Sequence, residues 1–244
     1  MIKSWSPTRL IDFEQCAYRA KLKLIDKIPE PERPLPESKT EHANDRGSRI
    51  HDMCEKFVRG ENEAIPHEAF RFEAELKSLR TKFEKGEAEL EGEWGFDRNW
   101  QPCDYKTAWL RMKCDAVVHL TKKHILIVDY KTGRKFGNEI KHGEQVQLYA
   151  LAAAIKFPNV EEIDVELWYF DQKDGENYTH ESKSVSKWMY HQKLFNNRGC
   201  KMTNATEFPP NPNAISCKWC PYRDGICEHA VTTTVAPRRK GTYK

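Results

Sequence analysis

Asp115, Asp129 and Lys131 are the residues of this 244-residue chain whose types and spacing most directly suggest chemistry. Asp129 and Lys131 flank Tyr130 at the end of the apolar run Ile125-Leu126-Ile127-Val128. Side chains of a strand alternate faces, so the two charges point one way and Tyr130 the other. Asp115 lies on the preceding apolar stretch, and an antiparallel hairpin brings it beside Asp129. Two carboxylates that close repel, and a divalent cation is their natural compensation. A lysine next to them can stabilise negative charge developing on a phosphate or orient water. Taken alone, the same three residues read equally well as a solvated ion pair at a strand end.

The second group with chemical potential is cysteine. Eight occur, at 16, 54, 103, 114, 200, 217, 220 and 227. The last three form Cys217-x2-Cys220-x6-Cys227, a ligand-like spacing that lacks a fourth member; Cys200 and His229 are the nearest in sequence. Thiolates suit structural zinc and iron–sulfur clusters alike. Cys54, Cys103 and Cys114 read as small buried hydrophobes.

The elements that must position these residues follow from periodicity. Ser6-Pro7 reads as an N-cap with proline in the first turn, opening a helix to about Leu24. The proline-rich stretch 29–36 is a linker or crossing loop. Helices are expected over about 40–58 and 68–85, the latter with Phe72, Leu76, Leu79 and Phe83 on one stripe. After Gly86 the pattern changes to strands at 88–97, 108–119 and 124–130, with a hairpin turn at 121–123. A helix over 143–157, a strand over 161–170, a helix over 183–200 and an irregular remainder complete an α/β or α+β core with a central sheet. Aromatics Trp94, Trp100, Tyr105 and Trp109 lie along it, more as core than as base-stacking platforms.

Composition sets limits on the whole. Hydrophobic residues make up 39% and charged residues 32%, with 40 basic and 37 acidic side chains giving a net charge of +3. The sum alone does not mark a nucleic-acid binder. Arg238, Arg239 and Lys240 form a basic end that reads as a solvated tail. No apolar run is long enough to span a membrane and none follows the N-terminus, so the expected compartment is the cytoplasm, or a host's cytoplasm if the protein is viral.

Asp115 followed by Asp129-Tyr130-Lys131-Thr132-Gly133 resembles the active-site pattern of the PD-(D/E)XK nucleases. The likeness is nearest to the RecB-like iron–sulfur branch, with its CRISPR-associated and phage exonuclease relatives. Residues 46–51, RGSRIH, resemble the segment that presents a metal-binding histidine, here His51. Residues 145–149, QVQLY, resemble the Gln-x-x-x-Tyr motif, giving Gln145 and Tyr149, which share a helix face. SPTRLIDFEQC at 6–16 resembles the N-terminal helix that carries the first cluster cysteine. The likeness covers about residues 6–229. It departs in two places: Cys114 stands where the family has proline before the first aspartate, and Asp129 replaces the commoner glutamate.

The resemblance implies a restriction-endonuclease-like α/β core, a mixed sheet flanked by helices. It implies four parts: 1–85, helical, with Cys16 and His51; 86–200, the nuclease core; 201–231, the cluster segment; and 232–244, the tail. His51, Asp115, Asp129 and the Tyr130 carbonyl would hold Mg²⁺ or Mn²⁺, with Lys131, Gln145 and Tyr149 completing the catalytic set. Glu93 is a looser acidic candidate. Cys16, Cys217, Cys220 and Cys227 would hold a 4Fe–4S cluster, with zinc as the alternative. The implied partner is DNA, as single strands or double-stranded ends. A homo-oligomer, or a single-strand-binding or recombination partner, fits the family's habits. Two rival readings are a nuclease fold that holds DNA without cutting it and a zinc-stabilised adaptor.

Overall fold

The computed structural model describes residues 1–32, 34–35 and 39–231. The basic tail at 232–244 lies outside them. A six-stranded mixed sheet is the centre of the fold, formed by β1 (Ala88–Phe96), β2 (Pro102–Cys103), β3 (Leu110–Thr121), β4 (His124–Lys131), β5 (Glu162–Tyr169) and β6 (Tyr178–Ser184). Its order is β2-β1-β3-β4-β5-β6. All neighbours are antiparallel except β4 and β5. That parallel pair needs a crossover, and α5 (Glu139–Lys156) supplies it.

Helices cover both faces. On one lie α5, α1 (Pro7–Gln15), α2 (Ala17–Leu24), α6 (Val185–Met189) and α7 (Gln192–Thr203), sharing a core with Ile125, Ile127, Ile163 and Val165. On the other lie α3 (Ala43–Val58), a 3-10 turn at His67–Phe72 and α4 (Glu73–Glu84), packed on Val128, Tyr130, Trp168 and Phe170. β4 is thus buried from both sides, which explains its unbroken apolar run. Trp94, Trp100 and Trp109 are all buried, in keeping with the core role expected of them.

Several local expectations need correction. The first helix is two helices, broken at Cys16, whose backbone is extended (φ −162°, ψ 106°). The stretch 183–200 begins in edge strand β6 and then forms two helices separated at Tyr190–His191. A short helix, α8 (Ala214–Lys218), forms within the segment read as irregular. Cys103 is exposed, whereas Cys54 and Cys114 are buried as expected. The Ser6 cap and the turn at 122–123 form as read. Among the described residues, no helix is long and apolar enough to cross a membrane.

Candidate active site

The centre forms where β3 and β4 part. Their ladder ends at Ala116 opposite Val128. One step further the Asp115 carboxylate, through Oδ2, accepts the Tyr130 N–H that a ladder carbonyl would otherwise take. Strand β3 changes face at this point: Cys114 packs into the α5-side core and Ala116, two residues on, into the α3-side core. Opposite, Glu91 of β1 has left-handed backbone (φ 52°). This paired irregularity frees Asp115 from the sheet and turns it toward α3.

Helix α3 brings His51 to meet it. His51 Nδ1 lies 2.9 Å from Asp115 Oδ1, and its ring stands edge-on to Tyr130 at 5.5 Å. The approach depends on the residues before it. Arg46 clamps Asp171 with two bonds of 2.7 and 2.9 Å and reaches the Thr132 carbonyl at 3.3 Å. A Cβ on Gly47 would stand only 3.0 Å from Thr132 Oγ1, so glycine allows the helix to sit this close to the end of β4.

Asp129 and Lys131 face the other way, toward α5. The Lys131 ammonium lies against Asp129 Oδ2 and donates to Gln145 Oε1 at 2.7 Å. Gln145 Nε2 donates to the Tyr149 hydroxyl at 2.8 Å and is 3.4 Å from Asp129 Oδ1. The Tyr149 hydroxyl has one proton for two acceptors, Asp129 Oδ1 at 2.9 Å and the Lys113 carbonyl at 2.8 Å. Asp129 is 5% exposed, and its Oδ2 is held by the Lys131 ammonium. Burial raises the Asp129 pKa; the Lys131 charge opposes that and the Asp115 charge adds to it, for a net rise. For His51, burial opposes protonation, but the Asp115 hydrogen bond and the two aspartate charges outweigh it, and its pKa rises. The structure therefore gathers His51, Asp115, Tyr130, Asp129, Lys131, Gln145 and Tyr149 around one strand end. Two aspartates and an imidazole gathered at one strand end are a donor set that suits a divalent cation.

Glu93 is not part of this group: it is exposed, opposite Lys113. Glu91 is the nearer acid, paired with Lys113 and acting with Asp115 on the buried Tyr130 phenol. Sequence offered no sign of this, since Glu91's position depends on its positive φ. A groove lined by Thr8, Ile11, Lys141, Gln145 and Arg198 opens beside the centre.

The cysteines define a second place. Cys16, Cys217, Cys220 and Cys227 line one cavity of about 460 Å³, open mouth included, together with Arg19 and His229. Cys200, on α7, does not line it. The break at Cys16 is what frees that thiol from the helix. Backbone turns from Cys220 to the Cys217 carbonyl and from Cys227 to the Tyr222 carbonyl shape the C-terminal side. Tyr222 pins that segment to the N-terminal region by donating to the Ile28 carbonyl at 2.9 Å. Burial raises the Cys220 pKa, and Arg19 works against it.

Known proteins resemble this chain in family and in fold. The model of the PD-(D/E)XK nuclease superfamily matches residues 4–228. A crystal structure of a protein provisionally assigned as an exonuclease, from Eubacterium rectale, is similar with a TM-score of 0.51 at 11% identity, covering 94% of this chain and 91% of that one. The protein designated SSO0001 gives 0.48 at 14% identity, covering 95% and 89%. An alkaline exonuclease from Laribacter hongkongensis gives 0.28 at 13% identity, covering 80% and 91%. No curated protein matches significantly.

Proposed function

This chain belongs to the PD-(D/E)XK nuclease superfamily, and from that membership we propose a Mg²⁺- or Mn²⁺-dependent deoxyribonuclease that acts at the ends of single- or double-stranded DNA. The observation that carries the reading is the cluster at the end of a central strand: Asp129, a buried carboxylate ion-paired with Lys131, beside Asp115 bonded to His51. Asp115, Asp129, His51 and the Tyr130 carbonyl would hold the ion. When bound, the ion lowers the pKa of water and neutralises charge on the scissile phosphate. With Nδ1–H donating to Asp115, His51 keeps Nε2 for ligation, and each carboxylate oxygen retains a further lone pair. Lys131, held by Gln145, presents its charge where a phosphate oxygen would gain negative charge. Tyr149 ties Gln145 to Asp129, so Tyr149 and Gln145 are positioning residues for the lysine.

The cysteine cavity supports a 4Fe–4S cluster on Cys16, Cys217, Cys220 and Cys227, as in the RecB-like branch. Zinc on the same four thiolates is the alternative. In this reading residues 1–85 supply His51 and Cys16, 86–200 the carboxylates and lysine, and 201–231 the remaining thiolates.

Digestion of end-labelled linear DNA and closed circular DNA, with Mn²⁺, Mg²⁺ or chelator, tests the proposal. The expected outcome is metal-dependent loss of label from linear DNA with circles left intact. Cutting of circles contradicts end-directed action, and cutting in chelator, or no cutting with either ion, contradicts the reading as a whole.

A further inference from the structure

We propose that the chain carries a second cation site, for a divalent transition metal of the zinc class, held by His124, Asp164 and Glu162. It is distinct from the catalytic centre in place. His124 precedes Asp129 by five residues on β4, about 17 Å of strand. It shares its face with Leu126 and Tyr130, opposite the side to which Asp129 and Lys131 point.

The sheet brings the three ligands together. The parallel register sets His124 beside Glu162 and Leu126 beside Asp164, so Asp164 is the next residue on the same face of β5. His124 Nε2 stands 3.0 Å from Asp164 Oδ2, and its Nδ1 is 4.0 Å from Glu162 Oε2. One ligand atom from each of the three lies within 4.8 Å of the others. From the neighbouring strand, His180 Nε2 comes to 3.9 Å from Asp164 Oδ2, while its Nδ1 is 3.3 Å from Glu166.

An acidic cluster alone would not make a site; the second observation is Asp164 itself. It is 8% exposed, and its Oδ1 has no hydrogen-bond partner. Among the described residues no lysine or arginine pairs with it, and its ion pairs are to the two histidines. His124 Nε2, although 3.0 Å away, is likewise without an aligned hydrogen bond. The two atoms are close without being directed at each other, as when both address a third point. A 3.0 Å separation is within a small side-chain adjustment of the roughly 3.4 Å between two tetrahedral ligands bound at about 2.1 Å. Burying a carboxylate oxygen without a donor is costly, and a cation on the carboxylate removes that cost. Imidazole nitrogen with carboxylate oxygen favours zinc and its neighbours over Mg²⁺. Glu162 is half-exposed and leaves a way in. With His180 as a further ligand, the ion would tie β4, β5 and β6 together.

The test measures zinc and iron per chain in wild type, His124→Ala and Asp164→Asn after equilibration with Zn²⁺ and removal of the excess. Wild type should hold one zinc more than either variant, with equal iron and equal Mn²⁺-dependent cleavage. Zinc should raise the wild-type Tm by about 5 °C more than that of either variant. Crystals of the wild type grown with Zn²⁺ should show an anomalous scattering peak between His124 and Asp164, which requires no variant. Equal zinc in all three proteins, or no peak at that position, overturns the site. The outcome does not depend on the nuclease reading, because iron and cleavage are scored separately.

Discussion

The carboxylate–lysine centre and the cysteine cavity both join residues distant in sequence, but they hold them by different means. At the centre the side chains bond one another: Lys131 to Gln145, Gln145 to Tyr149, Tyr149 to Asp129, and His51 to Asp115. Four neighbouring elements orient them, so the geometry exists before any ligand arrives. In the cavity the four cysteines line a common space, and among the described residues no side-chain bond network like that of the centre is what positions them. Their segments are held by backbone turns and by Tyr222. A preorganised site stabilises a transition state without rearranging, whereas a site made by its ligand folds with it. Loss of function in the first should therefore leave the fold standing, and loss of the second should loosen it.

The largest effect expected is at the centre. Asp129→Asn should lower Mn²⁺-dependent cleavage by about 10³-fold, the scale of losing one preorganised charge. Circular dichroism should stay unchanged, with both read on the same sample. Cys217→Ser should do the reverse: loss of bound iron and a fall in Tm of about 10 °C, as expected if roughly 3–4 kcal/mol is lost in a chain of this size. If Cys217→Ser kept its Tm and Asp129→Asn unfolded, the contrast between the two regions would be inverted. Gln145→Leu sharpens the positioning role. It should lower kcat by about 10-fold with little change in KM, since Lys131 keeps its charge and loses only its acceptor.

The smallest expected effect is a pH dependence beside the centre. Burial, then the Lys131 charge and then Lys141 push the His142 pKa down to about 4. The folded state therefore prefers the neutral ring. Its contribution to stability is complete above the unfolded value near 6.5 and is lost as pH falls toward 4. His142→Gln should flatten the fall in stability across that window by about 1 kcal/mol, allowing for partial solvent screening. Chemical denaturation at pH 7 and pH 4.5 measures the difference.

The legible parts of the fold share a physical reason. Ile125–Val128 announces β4 because helices bury both its faces, and the Asp129-Tyr130-Lys131 alternation follows from strand geometry. Gln145 and Tyr149 are readable as one helix face. The missed parts depend on context that no local pattern carries. Strand β6, YTHESKS, is a polar edge strand with alternating half-burial, and edge strands tolerate such residues. The break at Cys16 has neither glycine nor proline to mark it. Glu91, rather than Glu93, lies across from Asp115 in the β1–β3 register, at a residue of positive φ. The approach of His124 to Asp164 exists only after β4 and β5 pair in parallel across α5, a register no sequence window contains.

Lys131 is the most direct probe of the whole account, because it touches Asp129 and Gln145 and no element of the sheet depends on its side chain. Lys131→Ala is to be assayed on end-labelled single- and double-stranded DNA with Mn²⁺, beside wild type, with the fold checked by circular dichroism. The account predicts a folded protein whose cleavage is lost on both substrates. Cleavage at the wild-type rate on either substrate would contradict it.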